Sequence, residues 1–261
     1  MAGDPSRFIS DRRSREDASW VGSTDWDQGT PENVGIVDGG LVPQPQSSAP
    51  EGMVEDFEDS SLARYRGDVG SFNINSDTHI NGTAGLEGGF SGSRQIIYSL
   101  PSDGLNHYPE RGEVISCFVR DDHDNSETSN PGFLYGVAGS EGSLDGYAVW
   151  AGPFFSDFRM YRFDGGSHTS LIDLDPDLEN GQLYEIEVAW HDGSGSEPAD
   201  THVVTLYEAD SSLVRTGVVT SETVLDGTYS DNRGVGFVCF SGTLSGGGGH
   251  FDDLRSRGPV E

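Results

Sequence analysis

The sequence predicts an all-β protein built as a two-sheet sandwich of jelly-roll type. Short apolar segments alternate with turns along most of the 261 residues, which include 37 glycines. No segment longer than two turns carries the 3.6-residue period of an amphipathic helix. The run Tyr184-Glu185-Ile186-Glu187-Val188-Ala189-Trp190 has a period of two. It sets Tyr184, Ile186, Val188 and Trp190 on one face and Glu185, Glu187 and Ala189 on the other. About a dozen antiparallel strands with this kind of spacing close into two packed sheets.

Taken in order, residues 1–52 differ from the rest. They are polar, carry Pro31, Pro43, Pro45 and Pro50, and hold one strand pair, Val34–Val37 and Gly40–Val42, joined by Asp38-Gly39, a strong hairpin signal. Residues 44–50 read as a linker. Four of the 15 arginines, Arg7, Arg12, Arg13 and Arg15, fall near the start. Such a segment reads either as a solvated arm or as an anchor that docks on an acidic neighbour, and the expectation adopted is an anchoring arm over 1–52. Nucleic acid is not the expected partner, because the arm holds 9 acidic residues of its own. From Met53 to residue 261 the chain reads as the sandwich domain. Strands are expected over 71–75, 94–99, 113–120, 132–138, 145–151, 157–164, 183–191, 202–208, 234–240 and 250–255. No apolar stretch approaches the ~18–20 residues of a membrane span. The N-terminus lacks the apolar region of a secretory signal, so the expected setting is intracellular or a particle that releases the protein by another route. Cys117 and Cys239 each sit in a strand-like apolar run and read as buried small hydrophobes, with a bridge between them left open.

The charge is extreme. There is no lysine, and 15 arginines face 44 Asp and Glu, for a formal net charge of −29. Self-repulsion on that scale strains a compact fold at low salt. It fades where the Debye length falls to ~3 Å in molar salt. The composition resembles that of proteins from halophilic archaea and their viruses.

The order of motifs carries a further resemblance. Asp56-Phe57-Glu58-Asp59 is followed by Tyr65-Arg66-Gly67-Asp68-Val69-Gly70-Ser71-Phe72. Later come Asp145-Gly146-Tyr147-Ala148-Val149-Trp150, the run from Gly181 to Val188, Gly234-Val235-Gly236-Phe237 and Phe251-Asp252-Asp253-Leu254. Over about residues 53–258 this resembles the concanavalin A-like (laminin G/pentraxin-type) sandwich as it occurs in virion proteins of haloarchaeal tailed viruses. The resemblance implies that the first and last strands pair and that Asp56, Glu58, Asp252 and Asp253 bring a structural Ca²⁺ to their seam, with the hard oxygen ligands calcium needs. It also implies an arm that joins a larger assembly.

Other constellations are weaker. The run from Asp173 to Gly181 starts like an EF-hand loop but has Leu178 where the turn glycine is required. Glycoside hydrolysis needs two carboxylates about 5–5.5 Å apart for retention. The nearest match, Glu185 and Glu187, lacks the third carboxylate of sandwich hydrolases. Trp150, Tyr147, Tyr161 and Trp190 could line a sugar groove, but they alternate as core residues do. Asn81-Gly82-Thr83 is a glycosylation sequon. The functional expectation is a non-enzymatic, oligomeric structural protein on the head or tail of a virus particle, as turret, decoration or fibre. The arm would dock on other virion proteins. Polar loops such as 121–131 and 192–200 would touch host-surface glycans. The alternatives are a cellular carbohydrate-binding or adhesion module and a sandwich glycosidase.

Overall fold

The computed structural model describes residues 34–37, 40–43, 52–77, 79–88, 94–122, 129–140, 142–152, 157–241 and 248–258. Arg7, Arg12, Arg13 and Arg15 lie outside them. The chain divides into two units, Met1–Glu51 and Gly52–Glu261. In the first, β1 (Val34–Val37) pairs antiparallel with β2 (Gly40–Pro43), with Val37 opposite Gly40, the hairpin register expected from the sequence.

The second unit contains fifteen further strands. They are β3 (Met53–Glu55), β4 (Arg66–Gly67), β5 (Asn73–Asn75), β6 (Gly85–Gly88), β7 (Arg94–Ser99), β8 (Val114–Asp121), β9 (Ser129–Ser140) and β10 (Ser143–Gly152). After these come β11 (Asp157–Asp164), β12 (Ser167–Leu174), β13 (Leu183–Trp190), β14 (Thr201–Ala209), β15 (Arg215–Leu225), β16 (Gly234–Ser241) and β17 (Gly249–Arg257). Among the described residues there is no α-helix. One antiparallel sheet runs β12-β11-β10-β9-β16-β7-β4, and the other runs β15-β14-β13-β8-β17-β6-β5, with β3 paired to β17. This is a two-sheet jelly-roll sandwich.

The period-two pattern of β13 explains its place. Tyr184, Ile186, Val188 and Trp190 enter the core between the sheets, where they meet Tyr135, Tyr147, Phe133 and Phe237. Trp190 packs edge-on to Tyr135 at 5.6 Å and stacks on His202 at 5.7 Å. Each such ring contributes about 1.5–3 kcal/mol when fully buried. His202 is buried inside this aromatic group. Its Nε2–H donates to the Asp226 carbonyl at 2.9 Å, so Nδ1 accepts from the Tyr135 hydroxyl at 3.0 Å. Both bonds fit the neutral ring, and burial lowers the His202 pKa below its ordinary value. Cys117 and Cys239 are both free and buried in the core.

The strands in the middle of the seven-stranded sheet are apolar on both faces. In β10, Tyr147, Val149 and Ala151 face the shared core, while Ala148 and Trp150 belong to a second cluster on the opposite face. Leu134 and Val137 on β9, Val238 on β16, Tyr98 on β7 and Phe163 on β11 join that second cluster. Trp150 and Tyr161, read from the sequence as ordinary core, therefore lie on the outer side. They stack there with ring centroids 4.5 Å apart and planes 6° from parallel. Gly132 on β9 makes room for them, because a Cβ there would come within 2.4 Å of the Trp150 Cβ.

This outer face is concave. Five strand steps separate β7 from β12 in the sheet order, about 24 Å if the sheet were flat. Yet Arg94 on β7 lies with its guanidinium carbon 4.8 Å from the Phe163 ring on β11, and its Nη1 lies 3.5 Å from His168 Nδ1 on β12. The sheet must curl to bring these side chains together, and the curl shields its apolar outer face from water.

Five strands lie outside those expected from the sequence. β3, β4 and β6 are only two to four residues long, too short to show a period. β12 and β15 are long, but both end their sheets, and most of their residues are exposed, so neither shows a clean apolar alternation.

Candidate functional site

The first and last strands of the second unit do pair, Leu254 opposite Glu55 and Arg255 opposite Met53. The seam carboxylates, however, bind protein donors. β3 ends at Glu55, and Phe57 has a left-handed φ of 58°, so Asp56 and Glu58 are not same-face neighbours on a strand. Asp56 Oδ1 accepts the Glu58 N–H at 3.2 Å. The exposed Glu58 carboxylate accepts the Thr83 N–H at 2.7 Å, the Thr83 hydroxyl and the Ala84 N–H, and these bonds lower its pKa. A bulge in β17 lies between Asp252 and Arg255, and Asp253 adopts φ 52° there. Asp252 Oδ2 accepts the Ile80 and Asn81 N–H groups at 3.2 and 2.8 Å, and Oδ1 accepts the Asp253 N–H at 2.9 Å. Burial pushes its carboxyl up to about 7 against the pull of these donors. Asp253 Oδ2 accepts from Asn81 Nδ2 at 2.9 Å and from Arg255.

Calcium needs six to eight oxygens turned towards one point. Here Glu58, Asp252 and Oδ2 of Asp253 already accept N–H and O–H groups, an arrangement that does not favour the ion. Among the described residues no group of three or more His, Cys, Asp and Glu is arranged to hold a metal. The loop from Ile80 to Ala84 ties Glu58 to β17. The sequon asparagine contributes its amide nitrogen to that tie.

Glu185 and Glu187 lie on the outer face of the eight-stranded sheet. Arg215, on β15, reaches across β14 and grips Glu185 with two bonds, Nε to Oε2 at 2.6 Å and Nη2 to Oε1 at 3.0 Å. Its Nη2 also donates to Glu187, which Arg257 engages from β17. The guanidinium carbon lies 3.9 Å from the Tyr207 ring centre. Hydrogen bonds to Glu185 and then Glu187 raise the Arg215 pKa further. Both carboxylates are thus committed to guanidinium groups from neighbouring strands, and the pair forms a strap across the sheet.

The loop over 192–200 is tied at both ends. Ser194 N–H donates to Asp192, and Asp200 pairs with Arg111 at 3.0 Å. Residues 123–128 of the other nominated loop lie outside the described residues, and its flanks belong to β8 and β9. The EF-hand-like stretch begins at the end of β12 and continues as a surface connection to β13.

A different site emerges on the concave face of the seven-stranded sheet. A cleft of about 280 Å³ opens between β7 and the turns joining β9 to β10 and β11 to β12. Ile96, Tyr98, Leu144 and Phe163 form its apolar walls, Asp68 and Arg94 are its charged groups, and Gly67, Gly142 and Gly166 expose backbone at its rim. Asp68 Oδ2 accepts the Ile96 N–H at 3.0 Å, which fixes it at the edge of β7. Arg94 is half-buried, and this burial lowers its pKa below the ordinary guanidinium value, with Asp68 opposing the shift. An apolar pocket with a few fixed polar groups is the usual form of a small-molecule site, and this volume lies just under the common range of about 300–1,000 Å³. Sequence reading missed the site because its residues come from four separate segments. The one available signal was the apolar runs Phe133-Leu134-Tyr135, Ala148-Val149-Trp150-Ala151 and Phe237-Val238-Cys239-Phe240, which leave no polar face in an antiparallel protein.

No family model matches the sequence, and no curated protein matches it. The chain is similar to the carbohydrate binding module CBM66 from Bacillus subtilis at 10% identity and a TM-score of 0.47, covering 72% of this chain and 95% of that one. It is similar to the lectin UEA-II complexed with galactose at 11% identity and a TM-score of 0.48, covering 76% and 97%. The VIP36 exoplasmic/lumenal domain in its Ca²⁺/Man3GlcNAc-bound form gives 7% identity and a TM-score of 0.48, covering 82% and 90%. At these identities the likeness is one of architecture alone.

Proposed function

We propose that this chain is a non-enzymatic saccharide-binding sandwich and that the cleft on the concave sheet face is its binding site. The observation that carries this reading is the cleft itself. It has apolar walls from Ile96, Tyr98, Leu144 and Phe163, two charged groups of opposite sign, and space for about one sugar ring. The strapping of Glu185 and Glu187 by Arg215 supports a binding role over hydrolysis. A glycan array probed in molar salt tests the reading. The expected result is retention of a defined glycan by the full chain and its loss in Ile96→Trp, which fills the cleft, at an unchanged melting temperature. No retention by the wild type, or equal retention by both proteins, overturns it.

The setting we propose is the surface of a haloarchaeal tailed-virus particle. The lysine-free composition with a net charge of −29 supports a brine habitat, and the separate N-terminal unit with its four arginines supports an anchoring arm. On a particle, a homo-oligomer would offset weak single-site binding by avidity. Immunogold microscopy of purified particles with an antibody against residues 53–258 tests this. Label on head or tail supports it, and label confined to cell surfaces favours a cellular adhesion module.

A further inference from the structure

In a chain with 44 acidic residues, a cation without a carboxylate partner is out of keeping. Ten of the eleven arginines among the described residues pair with Asp or Glu. Arg94 is the exception, and it is the cation that lines the cleft. Its guanidinium lies over Phe163, and its Nη1 faces His168 Nδ1 at 3.5 Å, a nitrogen that must accept because arginine can only donate. Asp68, the carboxylate in the same cleft, turns Oδ2 to the Ile96 N–H instead. Among the described residues no carboxylate bonds to the remaining guanidinium N–H groups, and Asp68 acts on them only through its nearby charge. A half-buried charge left in that state costs free energy, which an anion entering the cleft would recover.

Resting on the saccharide-binding reading above, we infer that the cleft selects an anionic sugar, and that Arg94 binds the carboxylate of a uronic acid ring seated against Ile96 and Leu144. A guanidinium presents a planar fork that matches a carboxylate with two parallel bonds. The aromatic ring behind it holds that plane in place by cation–π contact. Partial burial also keeps the pairing effective where salt screens surface charges.

The test is an NMR titration of the full chain in molar KCl. The probes are methyl glucuronide and methyl galacturonide, their neutral counterparts methyl glucoside and galactoside, and acetate alone. The expected result is that a uronide shifts the Arg94 Nε–H resonance and binds about tenfold or more tightly than its neutral partner. Arg94→Gln should erase that preference and Arg94→Lys restore part of it, both at an unchanged melting temperature. If neutral and acidic sugars bind alike and Arg94→Gln changes neither, charge selection is overturned while the saccharide reading stands. If acetate binds as tightly as the uronides, the site takes a bare anion and the sugar part is overturned. If no sugar moves any cleft resonance, the saccharide reading and this inference fall together.

Discussion

Beyond their shared core, the two sheets present different outer faces. The seven-stranded sheet curls over Leu134, Ala148, Trp150 and Val238 and hides them. The eight-stranded sheet carries Glu185, Glu187, Arg215 and Arg257 and stitches them together across β13, β14, β15 and β17. The difference lies in what each curvature and side-chain set can exclude. A closed concave face becomes a second core with a cleft at its rim. A face edged by the exposed strand β15 keeps water close and relies on guanidinium–carboxylate geometry. Function is thus expected on the face that can desolvate a ligand, and rigidity on the other.

The sharpest test of this contrast uses adjacent residues on β9. Phe133 faces the shared core and Leu134 the concave face, and both are fully buried. Phe133→Ala should cost about 3–5 kcal/mol and Leu134→Ala about 2–5 kcal/mol in denaturant unfolding at constant salt. A Leu134→Ala cost below ~0.5 kcal/mol would break the claim that the concave face is a core. On the other sheet, Arg215→Met should cost about 2–3 kcal/mol. This is less than the 3–5 kcal/mol for a fully dry pair because the guanidinium is partly exposed. Replacing Glu185 and Glu187 with Gln in the same chain should recover much of the loss; no recovery would mean that packing on Tyr207, and not charge, is what Arg215 supplies.

The shared core titrates through His202. Its folded pKa is depressed, so the native state binds fewer protons than the unfolded chain. The stability it supports is present above the unfolded value of about 6.5 and is lost as pH falls through the folded value. The melting temperature of the wild type should therefore decline on acidification below about pH 6.5, and His202→Phe should flatten that part of the slope. Parallel slopes for the two proteins would assign the decline to other groups. The smallest effect is expected from chelation: EDTA at constant salt should leave the melting midpoint unmoved, because the Ile80–Ala84 loop occupies the seam carboxylates. A clear fall would restore the calcium expectation.

Much of the architecture was legible because burial on one face imposes a readable period. β13 and the hairpin of β1 and β2 are such cases, as are the bounds of β7 and β11, which coincide with the expected ones. β12 and β15 were not legible, since exposed edges lack that constraint. The first and last strands pair as expected, but the hydrogen-bond partners of the carboxylates beside them are set by the bulge at Asp253 and by a loop about 170 residues away in sequence. Nothing in the local sequence reports that partnership. The cleft was hidden for a related reason. A run such as Ala148-Val149-Trp150-Ala151 announces that both faces are covered without saying which segment closes over them, and the missing partner of Arg94 is a property of three-dimensional neighbours.

The two tryptophans of the sandwich stand on opposite sides of one sheet. Trp190 is packed among Tyr135, Tyr147 and His202 between the sheets, and Trp150 is stacked on Tyr161 in the concavity. The molecule therefore carries two built-in optical probes. With Trp20 and Trp26 replaced, near-ultraviolet circular dichroism and fluorescence quenching of Trp150 would follow events at the concave face. Trp190 would act as the silent reference until the whole domain unfolds.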